Sequence, residues 1–157
     1  MDSITGTWGA TDDVVYMDFS AITPIVLNGG LDVAANTVAP KYHTVTAGAL
    51  DLNGATAASN VLQINANFAT SALVGAALEA EGSFAVVGDG TNVGAGDNFL
   101  VLWDDGADSY LSNFVLGSAL ANDAAIASGD ITETDLVKFV GITDCTAINV
   151  AALDFFS

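Results

Sequence analysis

Three aspartates, Asp104, Asp105 and Asp108, crowd one tight turn around Gly106. Just upstream, the segment Gly88-Asp89-Gly90-Thr91-Asn92-Val93-Gly94-Ala95-Gly96-Asp97-Asn98 adds Asp89, Asp97 and two asparagines. Hard cations such as Ca2+ take about six to eight oxygen ligands from carboxylates, amides and backbone carbonyls. A glycine-rich acidic loop facing an acidic turn could supply them, which makes Asp89, Asp97, Asp104, Asp105 and Asp108 the first candidate calcium site. Asp130, Glu133 and Asp135 form a second candidate cluster. The spacing is not that of an EF-hand. Asp, Asn and Gly also suit turns through their own backbone chemistry, so a plain turn is the competing reading of the same residues.

Other chemistry finds little to work with. His43 is the single histidine and Cys145 the single cysteine, whereas a zinc site draws on several such ligands. A Ser-His-Asp triad would have to use His43, and no Gly-x-Ser-x-Gly elbow occurs. No phosphate-binding glycine loop ending in lysine is present either. With 19 acidic residues some carboxylate pair must fall at a glycosidase-like spacing, but nothing marks one out, and the expectation is a protein that is not an enzyme. Cys145, in a string without cations to lower its pKa, reads as a small buried hydrophobe. Trp8, Trp103, Phe155 and Phe156 read as core aromatics, with a sugar-stacking platform as the alternative.

Charge narrows the partners. The 19 acidic side chains face two cations, Lys41 and Lys138, and there is no arginine, for a formal net charge of −17. Nucleic acid binding rests on phosphate neutralisation by Lys and Arg, and anionic membrane surfaces make the same demand, so both are disfavoured. Carboxylate repulsion on such a chain is relieved by solvent, salt, protonation or bound metal. Apolar residues make up 52% of the chain and mean hydropathy is +0.52, too apolar for intrinsic disorder. No run reaches the roughly 18 continuous apolar residues of a membrane span, and residues 1–13 lack the basic and apolar regions of a secretory leader. At 157 residues the chain fits one β-rich domain over residues 1–157.

The elements expected to carry these side chains are mostly short strands. Val14, Val15, Tyr16, Met17 and Phe19 form a β-branched and aromatic run, and residues 25–27, 31–33, 42–45, 49–52 and 61–66 follow as further strands. The three-to-four spacing of Leu73, Val74, Ala77 and Leu78 predicts a helix over residues 71–81, with Thr70 or Ser71 as N-cap and Gly82 as its end. Strands are expected at 84–87, 99–103, 110–116 and 136–141, the middle two pairing as a hairpin through the acidic turn. Residues 119–127 suggest a second short helix. The class is mainly β, as an antiparallel β-sandwich-like domain with one or two short helices.

Four segments in order carry a family resemblance: the Ala/Leu-rich helix from Ser71, the hairpin string Asn98-Phe99-Leu100-Val101-Leu102-Trp103-Asp104-Asp105-Gly106, the segment Thr134-Asp135-Leu136-Val137-Lys138-Phe139-Val140-Gly141-Ile142-Thr143, and the closing Asp154-Phe155-Phe156-Ser157. Together, residues 69–157 resemble the carboxyl-terminal module of bacterial RTX-type and surface-layer-like proteins exported by type I secretion. The resemblance implies that Asp154, Phe155 and Phe156 act as an uncleaved export signal read by the type I secretion machinery, and that the protein works extracellularly or at the cell surface.

A small apolar, acidic domain of this kind is expected to be a secreted structural protein: a calcium-stabilised subunit that assembles with copies of itself into a filament or surface layer. The expected connector is the strand of Val14, Val15, Tyr16, Met17 and Phe19, adding to a neighbour's sheet edge. The alternative is a monomeric calcium-responsive secretion or folding module of a larger surface protein or adhesin.

Overall fold

A computed structural model describes residues 1–5, 15–18, 42–45, 50–51, 61–87, 93–121, 124–149 and 153–156. In chain order the strands are β1 (Asp2–Ile4), β2 (Val15–Asp18), β3 (Tyr42–Val45), β4 (Leu50–Asp51), β5 (Val61–Asn67), β6 (Val86–Val87), β7 (Asn98–Asp104), β8 (Ser109–Leu116), β9 (Ile131–Phe139) and β10 (Leu153–Phe156), with helix α1 (Ser71–Leu78) between β5 and β6. The chain is mainly β, as expected. The candidate strands at 25–27 and 31–33, with Val14, Phe19 and Trp8, lie outside the described residues.

Among the described residues six strands form one sheet in the order β1-β9-β8-β7-β5-β3. The pairs β7/β8 and β8/β9 are antiparallel, but β1/β9, β5/β7 and β3/β5 are parallel. The antiparallel sandwich expectation is therefore corrected to a mixed sheet, with two separate parallel two-stranded pairs, β10/β2 and β4/β6, among the described residues. The physical reason lies in α1: a parallel return needs a crossover long enough to span the sheet, and the helix between β5 and β7 provides it.

β7 explains why the hairpin string is apolar throughout instead of alternating. It runs through the middle of the sheet, and both faces are covered. Phe99, Val101 and Trp103 join Leu62, Ile64, Phe114 and Leu116 beneath the helix residues Val74 and Leu78. Leu100 and Leu102 point the other way, into a second cluster with Val61, Leu111, Val137, Phe139, Cys145 and Ile148. Trp103 is a core residue, 2% exposed. Its ring stacks on Tyr110 at 4.4 Å between centroids, and its indole N–H donates to Ser112 Oγ at 2.9 Å.

Helix α1 is capped by Thr70, whose hydroxyl accepts the Leu73 N–H at 3.3 Å. It buries Val74, Ala77 and Leu78, whereas Leu73, expected on the same stripe, stands 52% exposed. The helix stops at Leu78, short of residue 81, and the left-handed conformation falls on Glu81 (φ 69), not Gly82. The described residues of 119–127 form no second helix; they make single β-bridges, Leu120 to Val93 and Ala125 to Val87. Alanine is a strong helix former, but so short a stretch is marginal without an apolar stripe to bury. β9 begins at Ile131, upstream of the expected 136, because Thr132 and Thr134 alternate with Glu133 and Asp135 along an extended strand.

Candidate functional site

The hairpin turn holds three of the candidate carboxylates, and each is engaged by protein donors. Asp105 Oδ1 accepts the backbone N–H groups of Ala107 (2.8 Å) and Asp108 (2.7 Å), and its Oδ2 accepts the Tyr110 hydroxyl at 2.8 Å. Asp108 Oδ1 accepts the Gly141 N–H at 2.7 Å, and Oδ2 pairs with Lys138 Nζ at 2.6 Å. The same ammonium lies 5.4 Å from the Tyr110 ring centroid. Gly106 takes φ +84 to close the turn, a conformation that costs other residues about 1–2 kcal/mol.

These contacts set the local acidities. Burial works to raise the Asp105 carboxyl, but the Asp108 N–H, the Tyr110 hydroxyl and the Ala107 N–H outweigh it and hold it below its ordinary 3.8. Asp108 is lowered from the same value by the Lys138 contact and then by the Gly141 N–H. Burial, followed by the bond to Asp105, raises the Tyr110 hydroxyl.

Asp104 faces a different neighbourhood from Asp105 and Asp108. It is 2% exposed, accepting the Gly106 N–H on Oδ1 and the Cys145 N–H on Oδ2, each at 3.2 Å. Cys145 heads a one-turn 3-10 segment, Cys145–Ala147, capped by Asp144. Its carbonyl accepts Gln63 Nε2 at 3.0 Å, and its thiol donates to the Ile64 carbonyl at 3.2 Å. Asp104, Cys145 and Gln63 thus bind the end of β7 and the 3-10 segment that follows β9 to β5. Asp104, Asp144 and Cys145 are the one trio of Asp, Glu, His or Cys ligand atoms within 4.8 Å of each other among the described residues. Burial, and next the Asp104 carboxylate, push the thiol well up, so it stays a protonated donor. A thiol is a poor ligand for calcium, which takes oxygen; the trio works as a fastener between loops.

The other candidate acids are dispersed. Asp97 Oδ2 accepts the Gly94 N–H at 2.6 Å within its own loop, and Asp89 lies outside the described residues. Asp130 takes Ser118 through its backbone N–H (3.0 Å) and hydroxyl (2.8 Å). Asp135 accepts the Ser112 hydroxyl at 2.7 Å, ending a chain that runs from Trp103 through Ser112. Glu133 faces Gly75 of the helix. Neither expected set draws three ligand atoms within that 4.8 Å span among the described residues.

The expected export tail and the expected connector meet each other. Leu153, Asp154, Phe155 and Phe156 of β10 pair in parallel with Val15, Tyr16, Met17 and Asp18 of β2. One edge of the strand expected to reach for a neighbour is thus taken within its own chain.

Sequence reasoning missed Glu79 and Gln63. Glu79, 6% exposed, accepts the N–H groups of Gly129 (2.8 Å) and Ile131 (3.1 Å) and so docks the helix end on the start of β9. Its partners lie far along the chain, and no local signal announces them. Asp144 carried a signal that could have been read: an Asp followed by Cys-Thr is a cap, and its Oδ1 accepts the Thr146 N–H at 2.8 Å. Comparison of the chain with models of known protein families, with curated proteins and with solved structures finds no match.

Proposed function

We propose that the protein is a secreted structural subunit that assembles with copies of itself into an extracellular filament or surface layer. The observation that carries this reading is the open sheet. Its outer strands, β1 and β3, are short and different from each other, and among the described residues each pairs on one side alone. Unpaired edge N–H and C=O groups template the addition of another strand. Two unlike edges on one subunit favour a head-to-tail contact, which propagates instead of closing into a dimer.

The acidic residues support the same reading. The described turn carboxylates hold loops together through backbone N–H groups, which is structural work. Export through type I secretion, read by Asp154, Phe155 and Phe156, belongs to the proposal on the strength of the resemblance of residues 69–157. So does stabilisation by calcium, which would offset the repulsion of a chain at −17. No helix among the described residues is long and apolar enough to cross a membrane.

The monomeric secretion or folding module stays as a second reading, favoured by the double-sided packing that ties the described residues between 61 and 149 together. Electron microscopy and size-exclusion chromatography of the purified chain, with and without calcium, separate the two. A subunit gives polymers as salt or calcium is raised. A particle that elutes near 15.8 kDa under all conditions at high concentration overturns assembly in favour of the module.

A further inference from the structure

Both antiparallel pairs of the main sheet involve β8, so β7 and β9 run in the same direction. β1 runs parallel to β9, and β5 and β3 run parallel to β7. The outer strands β1 and β3, each paired on one side alone among the described residues, therefore point the same way. A second copy that continues the sheet meets β1 with its β3 as a parallel pair. Charge divides the two edges as well. Asp2 opens β1, whereas Lys41 immediately precedes β3 and His43 lies within it. Lys41 and His43 are two of the three side chains in the sequence that can carry positive charge, and the third, Lys138, is paired with Asp108. On a chain at −17 most approaches of two copies set acid against acid. β3 meeting β1 brings a basic segment to an acidic strand, and pairing either edge with its own kind forgoes that.

The faces of the sheet fix the register. Ile4 packs against the Cys145 cluster on one side. Thr44 lies on that side too, because its hydroxyl donates to Gln63 Oε1 at 2.7 Å and the Gln63 amide donates to the Cys145 carbonyl. A slip of one residue would send Ile4 to the opposite face. A slip of two would leave at most two of the three residues of β1 (Asp2–Ile4) paired with β3 (Tyr42–Val45). We infer that β3 of one copy adds in parallel to β1 of the next, with Asp2 facing Tyr42, Ser3 facing His43 and Ile4 facing Thr44. Lys41 and His43, which flank Tyr42 in sequence, come beside Asp2 at the diagonal positions that long side chains reach. This inference rests on the proposed assembly with copies and names its junction. Backbone hydrogen bonds hold the pair, and the charges select which edge is accepted and so give the polymer its direction.

The test mixes two cysteine variants of the full chain, Ser3→Cys and His43→Cys, in the salt or calcium that assembles the parent, followed by mild oxidation. Cys145 is buried and does not compete. The mixture should give disulfide-linked heterodimers on a non-reducing gel, and each variant alone should give none. A second measurement reads the charges. Asp2→Lys makes the chain less negative overall, yet should raise the concentration at which polymers appear about two- to tenfold. Adding Lys41→Glu to that variant should restore the parent's value. Polymers without heterodimers, equal cross-linking in either variant alone, or easier assembly of Asp2→Lys overturn this junction and leave the assembly reading standing. A parent chain that stays monomeric overturns the assembly reading, and the junction with it.

Discussion

Asp104 Oδ2 accepts the backbone N–H of Cys145 at 3.2 Å, across 41 residues of sequence. The bond joins the end of the central strand to the turn that follows β9, and the other oxygen of the same carboxylate holds the Gly106 N–H of the hairpin. Removing the carboxylate leaves both donors without their acceptor, one of them buried, and opens space beside Cys145. Asp104→Ala is therefore expected to cost about 2–4 kcal/mol. Asp104→Asn keeps one oxygen acceptor and should cost less. Urea denaturation checks both; an Asp104→Ala midpoint equal to the parent's would show that water replaces the carboxylate.

Gly106 holds φ +84 in the hairpin turn, and an added Cβ there would stand 2.9 Å from Asn67 Nδ2. Gly106→Ala must bear the left-handed backbone and move Asn67 as well, so a loss of about 1–2 kcal/mol is expected. A thermal melt measures it. A variant as stable as the parent would mean that the turn has relaxed to another conformation.

Acid should undo the hairpin anchor, whereas rising pH should weaken the fold around Glu133. Asp105 and Asp108 are lowered from 3.8, so their contribution is complete above that value and is lost as pH falls through the folded values. Glu133 acts with the opposite sign, above 4.5. Stability should thus pass through a maximum in mild acid and decline on both sides. Melting temperatures measured in small pH steps at fixed ionic strength should show the maximum, and Asp108→Asn should weaken the acid limb specifically. A monotonic profile contradicts the assignment.

Calcium should raise the melting temperature if carboxylates of the folded chain share it, because a ligand bound by the folded state alone stabilises by mass action. Millimolar calcium against excess chelator makes the comparison, with equal concentrations of a monovalent salt as the control for screening. No difference beyond that control removes calcium from the proposed function.

Loss of the tail should separate export from folding. Deleting residues 153–157 removes β10, the partner of β2, and the signal that the resemblance implies. The truncated protein should stay inside a cell that carries a type I exporter, while its β7–β8 hairpin and helix keep their native chemical shifts. Export at the normal level would reduce these residues to a strand.

The local signals in the sequence determined local things. The Asp104-Asp105-Gly106 turn between two apolar runs specified a hairpin, since strand propensity and turn chemistry agree there. The helix was legible from Thr70 and the spacing of Val74, Ala77 and Leu78. The mainly β class followed from many short β-branched runs. What tertiary structure alone decided is direction and partnership. Whether β5 and β7 run parallel depends on how α1 packs, and no residue of either strand encodes that by itself. The fate of the acids was equally non-local: Glu79 finds its donors at Gly129 and Ile131, Asp108 finds Lys138 and Gly141, and Asp104 finds Cys145. In sequence these residues look like interchangeable negative charge. A carboxylate's role is set by the N–H groups and cations that the fold brings within about 3 Å of it, and those come from segments far along the chain.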